Sequence, residues 1–297
     1  TTFLDFTLQQ EYFSIDGKTL LILCEEGEEE YDKEKLKLAN TVVEVIEEED
    51  DLTPQRLAAM DIIHQPERVV MEYNGMWLVS KFEEMRLPQG WGIEQHITCV
   101  DASTFQVYMQ NMKSVFMEMA KNADMVMFNR CRPEDPLPAF RRSIKVVNQA
   151  CDVLFENEEG EIDNIFEDQM PFDTDADVIE IDDADYGIWY VDMGDNPERY
   201  EGKTVHFRGM VLKSKDVGAD FFVPGRMAMT CCADDVRLYG YPCKIPKVTN
   251  IQMQKWYRVR VRYSFETTEP FAPEQPVLYL MHIEPAEAPE QDYVYLG

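Results

Sequence analysis

The sequence predicts an α/β fold, a mostly parallel sheet with flanking helices, followed by a small all-β barrel of OB-like type. Three observations carry this expectation. Short apolar runs alternate with helical patterns through the first half, as βαβ units do. An acidic stretch without lysine or arginine then runs from Asp152 to Tyr186. Beyond it, apolar strands follow one another without long helices, which suggests a closed or partly open barrel. The expected divisions are an α/β domain over 1–156, an acidic linker over 157–185 and a β domain over 186–297.

Thr1 to Phe13 reads as an amphipathic helix, and Lys18 to Glu26 as a buried strand leading into an acidic loop. A second strand spans Thr41 to Ile46. Thr53 and Pro54 then form a helix start, with a hydroxyl cap and proline at the first helical position. Further strands are expected at Glu67 to Tyr73, Glu94 to Ala102, Asp124 to Asn129 and Asp152 to Phe155. Helices over about Phe105 to Ala123 and Leu137 to Ala150 separate the last three. Within the acidic stretch, Asp177 to Ile181 reads as extended. The β domain offers five strands: KTVHFRGMVLKS, FFVPGRMAMTCC, VRLYGYPCKI, WYRVRVRYSFE and PVLYLMHIEP.

The formal net charge is -29, from 57 acidic and 28 basic residues. Nucleic acid is not an expected partner, because binding it takes a basic footprint that neutralises phosphates. Anionic membrane surfaces are disfavoured for the same reason. No apolar run is long enough to span a bilayer and no signal-peptide pattern precedes the first strand, so a cytoplasmic protein without membrane insertion is expected. Seven cysteines, an odd number without secretory context, point to reduced thiols or metal ligands and not to a disulfide framework.

The phosphate-binding pattern G-x-x-x-x-G-K-[ST] is absent from the sequence. Four other fragments nevertheless stand in a familiar order. LILCEEGEEEYD (Leu21 to Asp32) is a strand and acidic loop of the form N-E-x-G-E-x-x-x-D, with Cys24 at the asparagine position. VVMEYNGMW (Val69 to Trp77) is a strand ending in E-x-x-G, carried by Glu72 and Gly75. HITCVDASTF (His96 to Phe105) matches a strand ending in V-V-D-A before an aromatic, and NADMVMFNRC (Asn122 to Cys131) stands where a base-recognition strand ends in N-K-x-D.

Together these resemble the CobW/HypB/UreG family of metal-linked P-loop GTPases over roughly the first half of the chain. The resemblance implies that Thr1 and Thr2 match the end of the family's G-K-T-T motif, the phosphate loop and its strand lying upstream; by themselves the two threonines read as a helix cap. It implies GTP with Mg²⁺ as ligand, Glu72 orienting a metal-bound or attacking water, and the Gly75 peptide N–H near the γ-phosphate. Glu25, Glu28 and Asp32 then lie on a loop that responds to nucleotide or metal, or on a solvated acidic turn. Asn129 would hydrogen-bond the base, with Arg130 at the lysine position. Two departures stand out. Arg132 replaces the aspartate that pairs with guanine, and the C-x-C-C metal motif is missing after the second strand, which reads TVVEVIEEEDD.

In the β domain, Cys231 and Cys232 lie beside Asp234 and Asp235, and Cys243 follows on the next expected strand. Three such thiolates could share Zn²⁺ or another transition metal; adjacent cysteines on a strand point to opposite faces, and small buried side chains explain them equally. The pattern Y-x-G-K-T-V-x-x-x-G-M-V (Tyr200 to Val211), with F-x-x-x-R-x-x-x-T-C-C-A-x-D (Phe222 to Asp235) and a W-x-x-V strand (Trp256 to Val259), is similar to the soluble C-terminal domain of an uncharacterised bacterial family paired with predicted permeases. The expected function is a GTP-binding and hydrolysing metallochaperone or metal-homeostasis switch, with a metal-receiving protein or a membrane permease as partner. This particular chain is expected to lack turnover. The alternative is a non-enzymatic adaptor or metal-binding protein on a degenerate GTPase scaffold.

Overall fold

Five-residue apolar strands need neighbours to satisfy their backbone groups, and in the computed structural model they pair into three sheets. The structure describes residues 2–25, 31–162, 170–213, 220–229, 236–245, 251–266, 275–291 and 293–294. Two compact units divide the chain, 1–95 and 96–297.

The first unit runs α1 (Thr2–Leu8), β1 (Thr19–Leu23), α2 (Lys33–Leu38), β2 (Thr41–Val45), α3 (Pro54–His64), β3 (Arg68–Glu72) and α4 (Val79–Glu83). Its sheet is parallel, in the order β2-β1-β3. Central β1 is apolar on both faces, as a strand covered on both sides must be. Leu20 and Ile22 pack with Leu57 and Met60 of α3 on one face, and Leu21 packs with Leu8 and Leu36 on the other. The Thr53 hydroxyl accepts the Arg56 N–H at 3.2 Å, and Gln65 ends α3 in the left-handed region. The helix expected over Thr1 to Phe13 is shorter, giving way after Leu8 to a single 3₁₀ turn at Glu11–Phe13.

The second unit opens with β4 (Ile97–Asp101), α5 (Ala102–Asn111), α6 (Lys113–Lys121), β5 (Met125–Asn129), α7 (Leu137–Val147), β6 (Asp152–Asn157) and β7 (Gly160–Glu161). Strands β4, β5 and β6 are parallel, and β7 turns back antiparallel on β6. Phe105, Phe116, Phe128, Phe140 and Phe155 form the heart of this layer, with ring centroids 4.6 to 5.5 Å apart between touching pairs. The single helix expected over Phe105 to Ala123 is two helices, because Met112 leaves the helical region with φ -137°.

The remainder comprises β8 (Val178–Glu180), α8 (Tyr186–Asp195), β9 (Thr204–Leu212), β10 (Phe221–Met229), β11 (Val236–Gly240), β12 (Cys243–Lys244), β13 (Trp256–Glu266), β14 (Gln275–Pro285) and β15 (Tyr293–Val294). Strands β9, β10, β12, β14 and β13 pair in that cyclic order, and β13 returns to β9, closing a five-strand barrel. Only the β12 and β14 pairing within the ring is parallel. The expected strand VRLYGYPCKI is therefore two strands, split at Tyr241 and Pro242.

A ten-residue helix at the head of this region, α8, departs from the expectation of strands without long helices. It buries Tyr186, Trp189, Val191, Asp192 and Met193. Trp189 packs at 4.7 Å, tilted by 38°, on Phe207 of the barrel. Buried Asp192 accepts from Asn196 at 2.7 Å, Arg199 at 2.7 Å and the Tyr200 hydroxyl at 2.5 Å. At the end of α8, Asp195 is almost fully buried and is paired with Arg141 and, at 3.6 Å, Lys145, both of α7. Val146 of α7 belongs to the barrel's own core.

The junction of β9, β10 and β11 demands tight backbone contact. A Cβ on Gly225 would lie 2.3 Å from the Tyr239 carbonyl oxygen, and one on Gly209 would lie 2.9 Å from the Gly225 nitrogen. Neither neighbour is a movable side chain. Gly225→Ala is accordingly expected to lower unfolding stability by about 1–3 kcal/mol, the usual cost of overpacking. Urea denaturation followed by tryptophan fluorescence checks this, and an unchanged midpoint would show that the β10 and β11 contact is looser than these distances.

Candidate functional site

In open parallel sheets, ligands bind beyond the carboxyl ends of the strands. Glu72 is the last residue of β3, Asp101 of β4 and Asn129 of β5. The two units are taken in turn.

In the first, parallel register places Glu72 opposite Leu23 of β1, and the Cys24 N–H donates to the Glu72 carbonyl at 2.8 Å. The Tyr31 hydroxyl donates to Glu72 Oε2 at 2.7 Å, joining the end of the acidic loop to the strand end. Burial, the hydrogen bond and the Glu72 charge together push the Tyr31 phenol far above its ordinary value. Burial, with the same charge behind it, pushes the Cys24 thiol up to about 12. Asp32 caps α2 by accepting the Glu34 and Lys35 N–H groups at 3.1 and 3.2 Å. Gly75 lies in the turn after β3, where Asn74 Oδ1 accepts the Met76 N–H at 2.8 Å. Glu28 and Thr1 lie outside the described residues, as does the side chain of Thr2.

In the second unit, Asn129 ends β5 with its Oδ1 buried and without a hydrogen-bond partner among the described residues. A buried amide oxygen without a donor costs about 1–3 kcal/mol. Arg130 follows in the left-handed region, φ 55°. Its guanidinium donates to Asp101 Oδ2 at 2.8 Å. Asp101 also caps α5, accepting from the Ser103 N–H at 2.9 Å and the Ser103 hydroxyl at 2.6 Å. Burial works against the Asp101 carboxylate, but the bonds from Ser103 and Arg130 outweigh it and hold the group below its ordinary value. Arg132 donates its backbone N–H to Asp135 Oδ2 at 2.7 Å.

Sequence reading selected Glu72, Gly75, Asp32, Asn129 and Arg130. It missed Tyr31 as the partner of Glu72 and Asp101 as the partner of Arg130. The available signal for Asp101 was an Asp-Ala-Ser start to a helix, a capping pattern.

Oxygen donors such as threonine hydroxyls and Glu72 suit a hard cation like Mg²⁺. The soft-metal set is different. Cys231 and Cys232 lie outside the described residues, and Cys243 on β12 is wholly buried in the barrel core, where burial pushes its thiol well above its ordinary value. Among the described residues no group of three or more His, Cys, Asp or Glu is placed to hold a metal ion. Cys243 in this position fits core packing better than thiolate ligation.

Residues 157–296 match the family model described as the DUF1980 C-terminal domain. That stretch contains the Tyr200 to Val211, Phe222 to Asp235 and Trp256 to Val259 patterns. No curated protein and no solved structure matches the chain. Among the described residues no helix is long and apolar enough to cross a membrane.

The thiols differ enough to be sorted chemically. Cys99 is exposed, whereas Cys24, Cys131, Cys151 and Cys243 are buried. Burial lifts the Cys131 thiol to about 11, despite a backbone hydrogen bond that opposes the shift. At pH 8 the thiolate fraction of Cys24 and Cys131 is therefore negligible, since each titrates well above that pH. Iodoacetamide labelling of the native protein, read by peptide mass spectrometry, is expected to modify Cys99 well before these four. Early labelling of Cys24 would contradict the packing around Glu72.

Proposed function

We propose that the α/β portion is a nucleotide-responsive switch of the CobW/HypB/UreG GTPase kind, serving metal homeostasis or metallochaperone work. One observation carries the reading: the side chains picked out by motif each terminate a parallel strand, Glu72 in the sheet of the first unit and Asn129 in that of the second, the end of such sheets at which ligands bind. Glu72 is the group suited to orient an attacking water, and the Tyr31 hydroxyl holds its carboxylate in one rotamer. Asn129 offers an acceptor to a base N–H. Mg²⁺ bound with GTP would neutralise the phosphate oxygens, and Thr1 and Thr2 are the residues that would hold it.

Base selectivity is expected to be weak. Arg130 is committed to Asp101, and Arg132 stands where guanine's N–H donors would need a carboxylate. The same two arginines favour the second reading, an adaptor in which this layer is scaffold. The metal side of the proposal rests on Cys231 and Cys232 as ligands for Zn²⁺ or another transition metal, handed to a receiving protein or a permease.

In the native protein GTP hydrolysis is expected, and Glu72→Ala should lower kcat on the order of 10²-fold with KM little changed, as for loss of a water-orienting group. Phosphate-release kinetics measure both. Full turnover in Glu72→Ala removes the role assigned to that carboxylate, and absence of any GTP or ATP binding by equilibrium dialysis leaves the adaptor reading standing. Asn129→Ala is expected to weaken GTP and ATP to a similar degree, since the carboxylate that would distinguish them is missing.

A further inference from the structure

The barrel carries a concentrated basic face on a protein whose formal net charge is -29. On β13, Tyr257, Val259, Val261 and Tyr263 point into the core. Arg258, Arg260 and Arg262 alternate with them and are exposed. Cross-strand pairing extends the face on both sides. Arg258 lies between Arg208 of β9 and Glu284 of β14, Arg260 between His206 and His282, and Arg262 between Thr204 and Tyr279. Like charges directly opposite one another in a sheet are destabilising, so the fold itself gains nothing from the Arg208 and Arg258 pair.

The acidic groups around this face are paired with its flanking members on β9 and β14 and leave the central arginine row of β13 uncompensated. Asp183 is held by Arg208 and by buried Arg226, Glu180 bonds His206 at 2.7 Å, and Glu284 lies 3.8 Å from His282. Among the described residues, Arg258, Arg260 and Arg262 have no ion-pair partner.

We propose that the outer face of β9, β13 and β14 docks an acidic, extended polypeptide segment of a partner protein, with carboxylates at alternate residues against Arg258, Arg260 and Arg262. Spacing favours this occupant. Alternate side chains on an extended strand recur at about 6.8 Å, the same repeat that separates the three arginines along β13. Guanidinium groups match carboxylates bidentately. The range of the forces also discriminates. At 0.1 M salt, charges more than about 10 Å apart are largely screened. A short acidic segment therefore feels mainly the arginine row, whereas a membrane or a long nucleic acid also meets the acidic remainder of the surface. Stacking platforms for unpaired bases are few: the rings in the three rows are Tyr279, with Lys244 5.9 Å from its centroid, and the imidazoles of His206 and His282, each beside a glutamate. The proposal is independent of the nucleotide reading, since it uses only barrel residues.

Fluorescence anisotropy of the whole protein with a short fluorescein-labelled peptide alternating glutamate and threonine tests it. Binding is expected to weaken steeply with salt, to vanish when the glutamates are replaced by glutamine, and to fall at least about tenfold in the Arg258→Gln, Arg260→Gln, Arg262→Gln variant, the loss of roughly 1.4 kcal/mol. Should that variant fail to fold by circular dichroism, Arg260→Gln alone is expected to weaken binding in the same direction. Peptide affinity unchanged in the folded variants would overturn the proposal. So would tighter binding, through the same arginines, to a mixed-sequence oligonucleotide or to phosphatidylglycerol vesicles.

Discussion

Closing a five-strand sheet on itself is the constraint from which the second half of this protein follows. Where β9 and β10 meet, the backbones approach to a distance that admits no Cβ, and Gly209 stands at that contact. Once the ring is closed, every barrel strand has one inward and one outward face, and a two-residue alternation is imposed along its length. On β13 that alternation separates a column of fully buried valines and Tyr263 from a column of exposed arginines. The register shift between Arg260 and Val261 leaves Met281 of β14 as the extra residue. A bulge of this kind re-aims the side chains on either side of it.

The parallel sheets obey a different constraint. Their strands are short, their interiors are continuous apolar runs, and their polar residues gather at the carboxyl ends because that is where the run stops. Glu72, Asp101 and Asn129 share this position by the same logic. Two of them are tied locally. Tyr31 holds Glu72, and Ser103 and Arg130 hold Asp101. Asn129 alone keeps an acceptor without a donor among the described residues.

Most strands were legible in the sequence to within a few residues, since apolar runs bounded by charged or turn residues are a strong signal. The exceptions have physical causes. Helix α8, YGIWYVDMGD, is buried on most of its circumference, so it has no polar stripe by which a helix is recognised. The break at Met112 has neither glycine nor proline to announce it. Among the candidate site residues, Glu72 and Asn129 were legible because motif and strand end coincide. Their neighbours were not. Tyr31 meets Glu72 across 41 residues of sequence and Arg130 meets Asp101 across 29, and no local pattern encodes such a pairing. The DUF1980 C-terminal domain match covers the barrel and leaves residues 1–156 to be read from geometry.

The α7 and α8 contact bears on what counts as a self-sufficient piece of this molecule. The matched family region begins at residue 157, yet Asp195 within it is buried against Arg141 and Lys145, and Val146 fills part of the barrel core. A polypeptide started at 157 would lose α7 whole, and with it both cations of Asp195 and the Val146 side chain from the barrel core. Evolutionary module and thermodynamic unit thus have different edges here. The boundary that inheritance draws at the barrel lies inside the one that desolvated charge draws, which runs back at least to Arg141.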